Sequence, residues 1–188
     1  MYQRKLVVIV IIKDGVIQMH NEKGIQRGKD FEEIIKKGFL AVDNTTIERI
    51  PDPVSGFMGY RNICDFIAYH YPYVYYLECK TTHSHRLPFT NVTFNQRVGL
   101  LDVCNTKGVI AGLIVWFIPM DKTYFVPIQV YEKYRLAGVK SLNLNKMNPE
   151  EDGWVEIQGK KKRIFFDYDI SDFIMKCNLR QIGERSYD

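Results

Sequence analysis

The chain offers no Cys-x-x-Cys pair. Its four cysteines, Cys64, Cys79, Cys104 and Cys177, stand far apart, and no two histidines sit at zinc spacing beside them. A reducing, cytosolic compartment is the simplest reading. There is no large excess of one charge either: 26 basic against 22 acidic side chains leave a net charge of +4, which permits a polyanionic partner without demanding one. Long hydrophobic runs are missing as well. The apolar stretch Leu6 to Ile12 follows Arg4 and Lys5 but is too short to span a bilayer, is β-branched where a signal core is rich in leucine and alanine, and ends in Lys13-Asp14-Gly15 instead of a small-residue cleavage site. It reads as a strand, with no membrane partner implied. Internal repeats and low-complexity linkers are absent too, so the 188 residues, 46% hydrophobic and 13% aromatic, make one well-cored α/β domain.

The expected organisation begins with a β-hairpin extension over residues 1–24, turning at Asp14-Gly15, ahead of a domain over residues 25–188. "KDFEEIIKKGFL" places Phe31, Ile34, Ile35 and Leu40 on one helical stripe with acids early and lysines late, predicting a helix from near Lys29 toward Val42. "TTIERI" reads as a strand, and "PDPVSGFMGYRN" as a loop. "CDFIAYHYPYVYYLECKTT" reads as two strands around a turn at Tyr71-Pro72, dense enough in aromatics to be covered on both faces. "FNQRVGLLDVCNTKG" has helical spacing with Gly108 as its terminator, "VIAGLIVWFI" the continuous apolar character of a buried strand, and "KTYFVPIQVYEKYRL" a strand running into a short helix. The basic cluster Lys160 to Arg163 precedes a terminal helix.

One stretch resists a purely structural account. Glu78 and Lys80 lie two apart in a strand, so they project to one side while Leu77 and Cys79 point to the other. Removing both charges from water is costly unless each finds a partner, and a structural ion pair would suffice. Asp65, however, opens the preceding strand of the hairpin and folds back beside Glu78, and two clustered carboxylates repel unless a cation lies between them. Magnesium takes such hard oxygen ligands together with water and phosphate. A neighbouring lysine could orient or deprotonate a metal-bound water, or stabilise charge developing on phosphorus.

This acid-acid-lysine set resembles the site of the PD-(D/E)xK nuclease superfamily. The chain is similar over most of its length to the RecU family of Holliday junction resolvases: "QRGKDFEE" resembles the opening Asn-Arg-Gly-x-x-Leu-Glu, aligning Arg27, Gly28 and Glu32. "DFIAYHYPYVYYLECKTT" matches the Asp-to-Glu-x-Lys spacing and the trailing Thr82. "LPFTNVTFNQRV" follows Phe-Pro-Leu-x-x-Phe-x-x-His-Gln with Gln96 at the glutamine, and "GVKSLNL" is similar to a Gly-x-Lys-Ser-Ile segment. The resemblance implies a restriction-endonuclease-like fold, a mixed central sheet flanked by helices, and a homodimeric magnesium-dependent endonuclease, with manganese as a substitute, that nicks four-way junctions symmetrically. It implies that Asp65, Glu78 and the Cys79 carbonyl hold the metal, that Lys80 and Gln96 handle the attacking water, and that Glu32 supports the site. The chain departs from the family at Thr93 and Asn95, where histidines stand, at Thr81, where an acid follows the lysine, and in a short counterpart, "PDPVSGFMGY", to the stalk segment. A compact, divergent resolvase of this kind suits a bacteriophage genome and a bacterial host's cytoplasm.

Arg27 is expected just before a helix start, where a guanidinium fork and free amides both suit a phosphate. Thr82, Lys140, Lys160, Lys161, Lys162 and Arg163 are the other candidate nucleic-acid contacts, with Ser141 beside Lys140. His83 and His85 border the site as a polar loop, and Tyr69, Tyr71, Tyr73, Tyr75 and Tyr76 are chiefly packing residues that could also stack on unpaired bases. Two further functions stay open: a nuclease of the same superfamily acting on ordinary duplex, and a DNA-binding protein that keeps the fold without catalysis.

Overall fold

The computed structural model describes residues 22–51 and 62–185; of the expected hairpin extension over residues 1–24 all but the last three residues, and most of the stalk-like segment, lie outside them. Helix α1 (Glu22–Leu40) leads into strand β1 (Thr45–Arg49), then β2 (Phe66–His70) and β3 (Tyr73–Thr82). Strand β4 (Arg86–Pro88) is followed by α2 (Phe94–Cys104), β5 (Val109–Phe117), β6 (Lys122–Pro127) and α3 (Ile128–Leu136). The chain closes with the short strands β7 (Ser141–Asn143), β8 (Val155–Glu156), β9 (Gly159–Lys161) and β10 (Phe166–Tyr168), and with α4 (Ile170–Arg185). The six-stranded sheet runs β1-β2-β3-β5-β6-β8. All of its pairs are antiparallel except β3 with β5, whose parallel pairing follows from the helical crossover α2 between them. The result is a mixed central sheet flanked by helices, the architecture that the resemblance implies.

Two cores lie on opposite faces. Leu77, Cys79, Ile114 and Trp116 belong to the one that contains Phe31, Ile35 and Phe39 of α1 and Phe173 and Cys177 of α4. Leu113, Val115 and Phe117 belong to the other, with Leu100 of α2 and Ile128 and Tyr131 of α3. Strand β5 is therefore apolar at nearly every position, as a strand covered on both faces must be. Gly112 in β5 is required by close approach: a Cβ there would collide with the Val126 carbonyl and the Phe125 ring of β6.

Three sequence expectations shift. Helix α1 starts at Glu22, so residues 22–24 belong to it and not to a hairpin, and Arg27 lies inside the helix instead of just before its start. The buried stripe is Phe31, Ile35 and Phe39, while Leu40 is 57% exposed; a strict four-residue spacing keeps one face against the sheet. Gly108 has φ +85° but lies in the turn entering β5, because α2 already ends at Cys104 with Asn105 as its cap. The terminal helix, the buried strand and the two-strand hairpin around Tyr71-Pro72 stand as read. No helix of the described residues is long and apolar enough to cross a membrane, and all four cysteines are free.

Candidate active site

The hairpin sets the first pair of acids. The two-residue turn at Tyr71 and Pro72 puts Phe66 opposite Leu77, and one step further Asp65 comes level with Glu78, its N–H donating to the Leu77 carbonyl at 3.1 Å. There the ladder ends and the Asp65 carboxylate takes over: Oδ2 accepts from the Cys79 N–H at 2.8 Å. Period two turns Glu78 and Lys80 to the α2 face, and Glu78 is only 1% exposed. Lys80 Nζ lies 2.6 Å from Glu78 Oε1.

Helix α2 brings Gln96 to the same oxygen. Thr93 caps the helix, its hydroxyl accepting from the Gln96 N–H at 3.3 Å, while Gln96 Oε1 accepts from the Thr93 N–H at 3.0 Å. This reciprocal capping box satisfies two otherwise unpaired amides. The far end of the Gln96 side chain is then free to work, and Nε2 donates to Glu78 Oε1 at 2.5 Å. Docking of α2 depends on Gly99, since a Cβ there would run into the Ile63 side chain just ahead of Asp65.

The electrostatics are those of a strained acid cluster. Burial, first, and then Asp65 push the Glu78 carboxyl up to about 7; Lys80 pulls it down, and Glu32 adds to the rise. The Cys64 thiol behind the site is pushed up to about 12, mainly by burial and next by Glu78. With Oε1 of Glu78 occupied by two donors, Oε2 is buried without a hydrogen-bond partner, an uncommon and costly state for a carboxylate oxygen. Among the described residues no three His, Cys, Asp or Glu side chains gather closely enough to hold a metal by themselves. Glu78 Oε2, the Asp65 carboxylate and the Cys79 carbonyl nonetheless form a hard-oxygen set that suits a divalent cation completing its shell with water and phosphate.

Glu32 of α1 acts on Glu78 through its charge, the smallest of the contributions to the raised carboxyl, and its Oε2 is 2.8 Å from an Arg49 guanidinium nitrogen; Glu33 pairs with Lys37 on the surface. Arg49 escaped the sequence reading, and Thr93 entered it only as a departure from the family, not as a helix cap. The signal for Thr93 was present, a threonine three residues before a glutamine at a helix start, whereas nothing local marks Arg49. Thr82 is buried and its hydroxyl staples the following loop, donating to the Arg86 carbonyl at 2.8 Å and accepting from the Ser84 N–H. Arg27 is half-buried on α1. Lys140 is exposed, and its carbonyl accepts from the Phe89 N–H just ahead of α2; Ser141 opens β7, which pairs with β4. Lys160 to Arg163 are exposed on the β9–β10 hairpin, where Lys161 is paired with Asp121 and Lys162 with Asp167. His83 is exposed and His85 half-buried in the loop after β3. Tyr73 and Tyr75 are core residues, while Tyr69 and Tyr71 are 43% and 76% exposed.

No curated protein matches the chain. A solved structure, Hjc of Archaeoglobus fulgidus, a Holliday junction resolvase from an archaeal hyperthermophile, is similar at 17% identity over 65% of this chain and 89% of its own, with a TM-score of 0.42. The family model for RecU, recombination protein U, matches residues 26–168, a span that takes in Glu32, Asp65, Glu78, Lys80 and Gln96. The chain belongs to the RecU family.

Proposed function

We propose that this protein is a magnesium-dependent endonuclease that resolves four-way DNA junctions, acting as a homodimer whose two sites nick strands related by a twofold axis. The observation that carries the proposal is Glu78: a carboxylate buried to 1% exposure, level with Asp65, with Lys80 and Gln96 on one oxygen and nothing on the other. A purely structural ion pair would leave no oxygen orphaned in the interior.

In this reading Glu78 Oε2, the Asp65 carboxylate and the Cys79 carbonyl hold the cation, which when bound supplies neutralisation of phosphate charge and an acidified water. Hydrolysis joins the water oxygen to phosphorus and breaks one ester P–O bond. Lys80 Nζ, 2.6 Å from Glu78, is the group beside the site able to take up or release the proton involved. The Gln96 amide titrates nowhere near neutral pH, so it orients by donating from Nε2. Glu32, held by Arg49, adds to the negative field that attracts the cation. Arg27, Lys140 and the Lys160 to Arg163 hairpin supply contacts to the phosphate backbone. The free cysteines suit a reducing cytoplasm, a bacterial host's if the gene is a bacteriophage's.

The test is nicking of an immobile four-way junction by the purified protein with magnesium, beside Lys80→Ala and a linear duplex of the same sequence. Paired cuts on the junction alone, lost in the variant and in excess chelator, are expected. Equal cutting of both substrates would leave the site standing and replace resolution with general nuclease activity, a reading the short stalk-like segment favours. Junction binding with no cutting would overturn the catalytic reading.

A further inference from the structure

The capping box of α2 also decides which way the Gln96 amide faces. The Thr93 main-chain N–H can only donate, so the atom 3.0 Å from it must be the Gln96 oxygen. That assignment turns Nε2 to Glu78 Oε1, the oxygen that also accepts from the Lys80 ammonium, at 2.5 Å. Exchanging the two ends of the amide would set NH2 against N–H and oxygen against oxygen, losing both bonds at once. Donors from Gln96 and Lys80 then converge on Glu78 Oε1, and Oε2 is the oxygen left without a partner. An ordinary helix cap would need only the other half of the box, the Thr93 hydroxyl on the Gln96 N–H.

We propose that the main-chain N–H of Thr93 is a positioning group of the site: by holding Gln96 Oε1 it aims Gln96 Nε2 at Glu78 Oε1 and so reserves Glu78 Oε2 for the cation. The proposal rests on the nuclease reading of Asp65, Glu78, Lys80 and Gln96, and it adds a component that makes no contact with substrate or metal. It explains why a glutamine serves at position 96. A glutamate could complete the same box but would set a second carboxylate against Glu78, and an asparagine would fall short by one methylene.

The backbone at this position allows the N–H to be removed by itself. Thr93 has φ −68° and ψ 159°, and Val92 before it has φ −107° and ψ 119°, the conformations that proline and its preceding residue adopt. Thr93→Ala deletes the hydroxyl and keeps the N–H; Thr93→Pro deletes both; Thr93→Ser keeps both. In ¹⁵N-labelled metal-free protein the Gln96 side-chain amide pair is identified by its disappearance in Gln96→Leu. It is expected at the wild-type position in Thr93→Ser and Thr93→Ala, and at the position of solvent-exposed glutamines in Thr93→Pro.

With magnesium and a four-way junction, Thr93→Pro should lower kcat by roughly ten- to a hundredfold with KM within about twofold, as expected for a misaimed group. Thr93→Ala should stay within about threefold of wild type and Thr93→Ser should match it. An unmoved amide pair in Thr93→Pro, or one displaced equally in Thr93→Ala, overturns the proposal. Should Thr93→Pro not fold, Gln96→Leu reads the same bond from its other end: exchange of the Thr93 amide proton should accelerate at least about tenfold, and unchanged exchange overturns the proposal. A wild type that fails to cut the junction defeats the functional reading, while the amide spectra still decide the positioning role.

Discussion

Gln96 and Glu78, on different secondary-structure elements, meet at 2.5 Å between Nε2 and Oε1, and the contact fixes how helix α2 addresses strand β3. Because Lys80 Nζ occupies the same oxygen at 2.6 Å, loss of Gln96 leaves the Glu78 charge partly compensated but its orientation free. Gln96→Leu is therefore expected to lower kcat by about a hundredfold, the scale of removing one aimed donor from a reacting centre. Junction affinity should stay within about twofold. An equal loss in binding would mean that Gln96 contacts DNA instead of organising the site.

Glu78 also makes metal-free stability depend on pH. Its carboxyl is raised from an ordinary 4.5 to about 7, so the folded state holds the proton more tightly than the unfolded chain. The stabilisation is complete below about pH 4.5 and is lost as pH rises to about 7, a change on the order of 3 kcal/mol from this group. Urea denaturation at pH 5 and pH 8 should show Glu78→Gln gaining on wild type at the higher pH. Added magnesium should raise the wild-type midpoint at pH 8 and leave that of Glu78→Gln nearly unmoved. A difference between the two proteins that ignores pH would contradict the assignment.

Gly99 tests the docking of α2. Its Cβ position overlaps Ile63, two residues before Asp65, so Gly99→Val forces the helix and the Asp65 segment apart. A stability loss of about 1–3 kcal/mol is expected, together with a fall in kcat larger than the change in junction affinity. The companion Ile63→Ala, made in the Gly99→Val background, should recover part of both.

The basic hairpin calls for a different readout. Lys160 and Arg163 carry no ion pair among the described residues, whereas Lys161 and Lys162 are paired with Asp121 and Asp167. Lys160→Ala and Arg163→Ala should each reduce the salt dependence of DNA binding by about one unit of slope, with kcat at saturation unchanged. Lys161→Ala and Lys162→Ala should have the smaller effect, since each side chain must leave a carboxylate to meet a phosphate. Equal slopes for all four would remove the hairpin from the interface.

Much of the sheet was legible in local pattern. The continuous apolar run of β5 announced a strand covered on both faces, and strict alternation placed Glu78 with Lys80 and Leu77 with Cys79 on opposite sides. The helix boundaries were less so. The pattern Phe31, Ile35 and Phe39, anchored against the sheet, marks the middle of α1 but not its start, because a helix propagates beyond its anchored residues.

The sequence by itself determined the acid pair and its lysine. A strand period of two and a two-residue turn at Tyr71-Pro72 are local properties of the backbone, and together they bring Asp65 level with Glu78 wherever the hairpin lies in the fold. What only the tertiary structure decided is the state of that pair. The burial that lifts Glu78 to about 7, the orphaned Oε2, the Arg49–Glu32 ion pair and the aim of Gln96 each join segments far apart in the chain. No local periodicity encodes those contacts, because they depend on how closely helices α1 and α2 settle on opposite faces of one sheet, which the packing of the whole core sets.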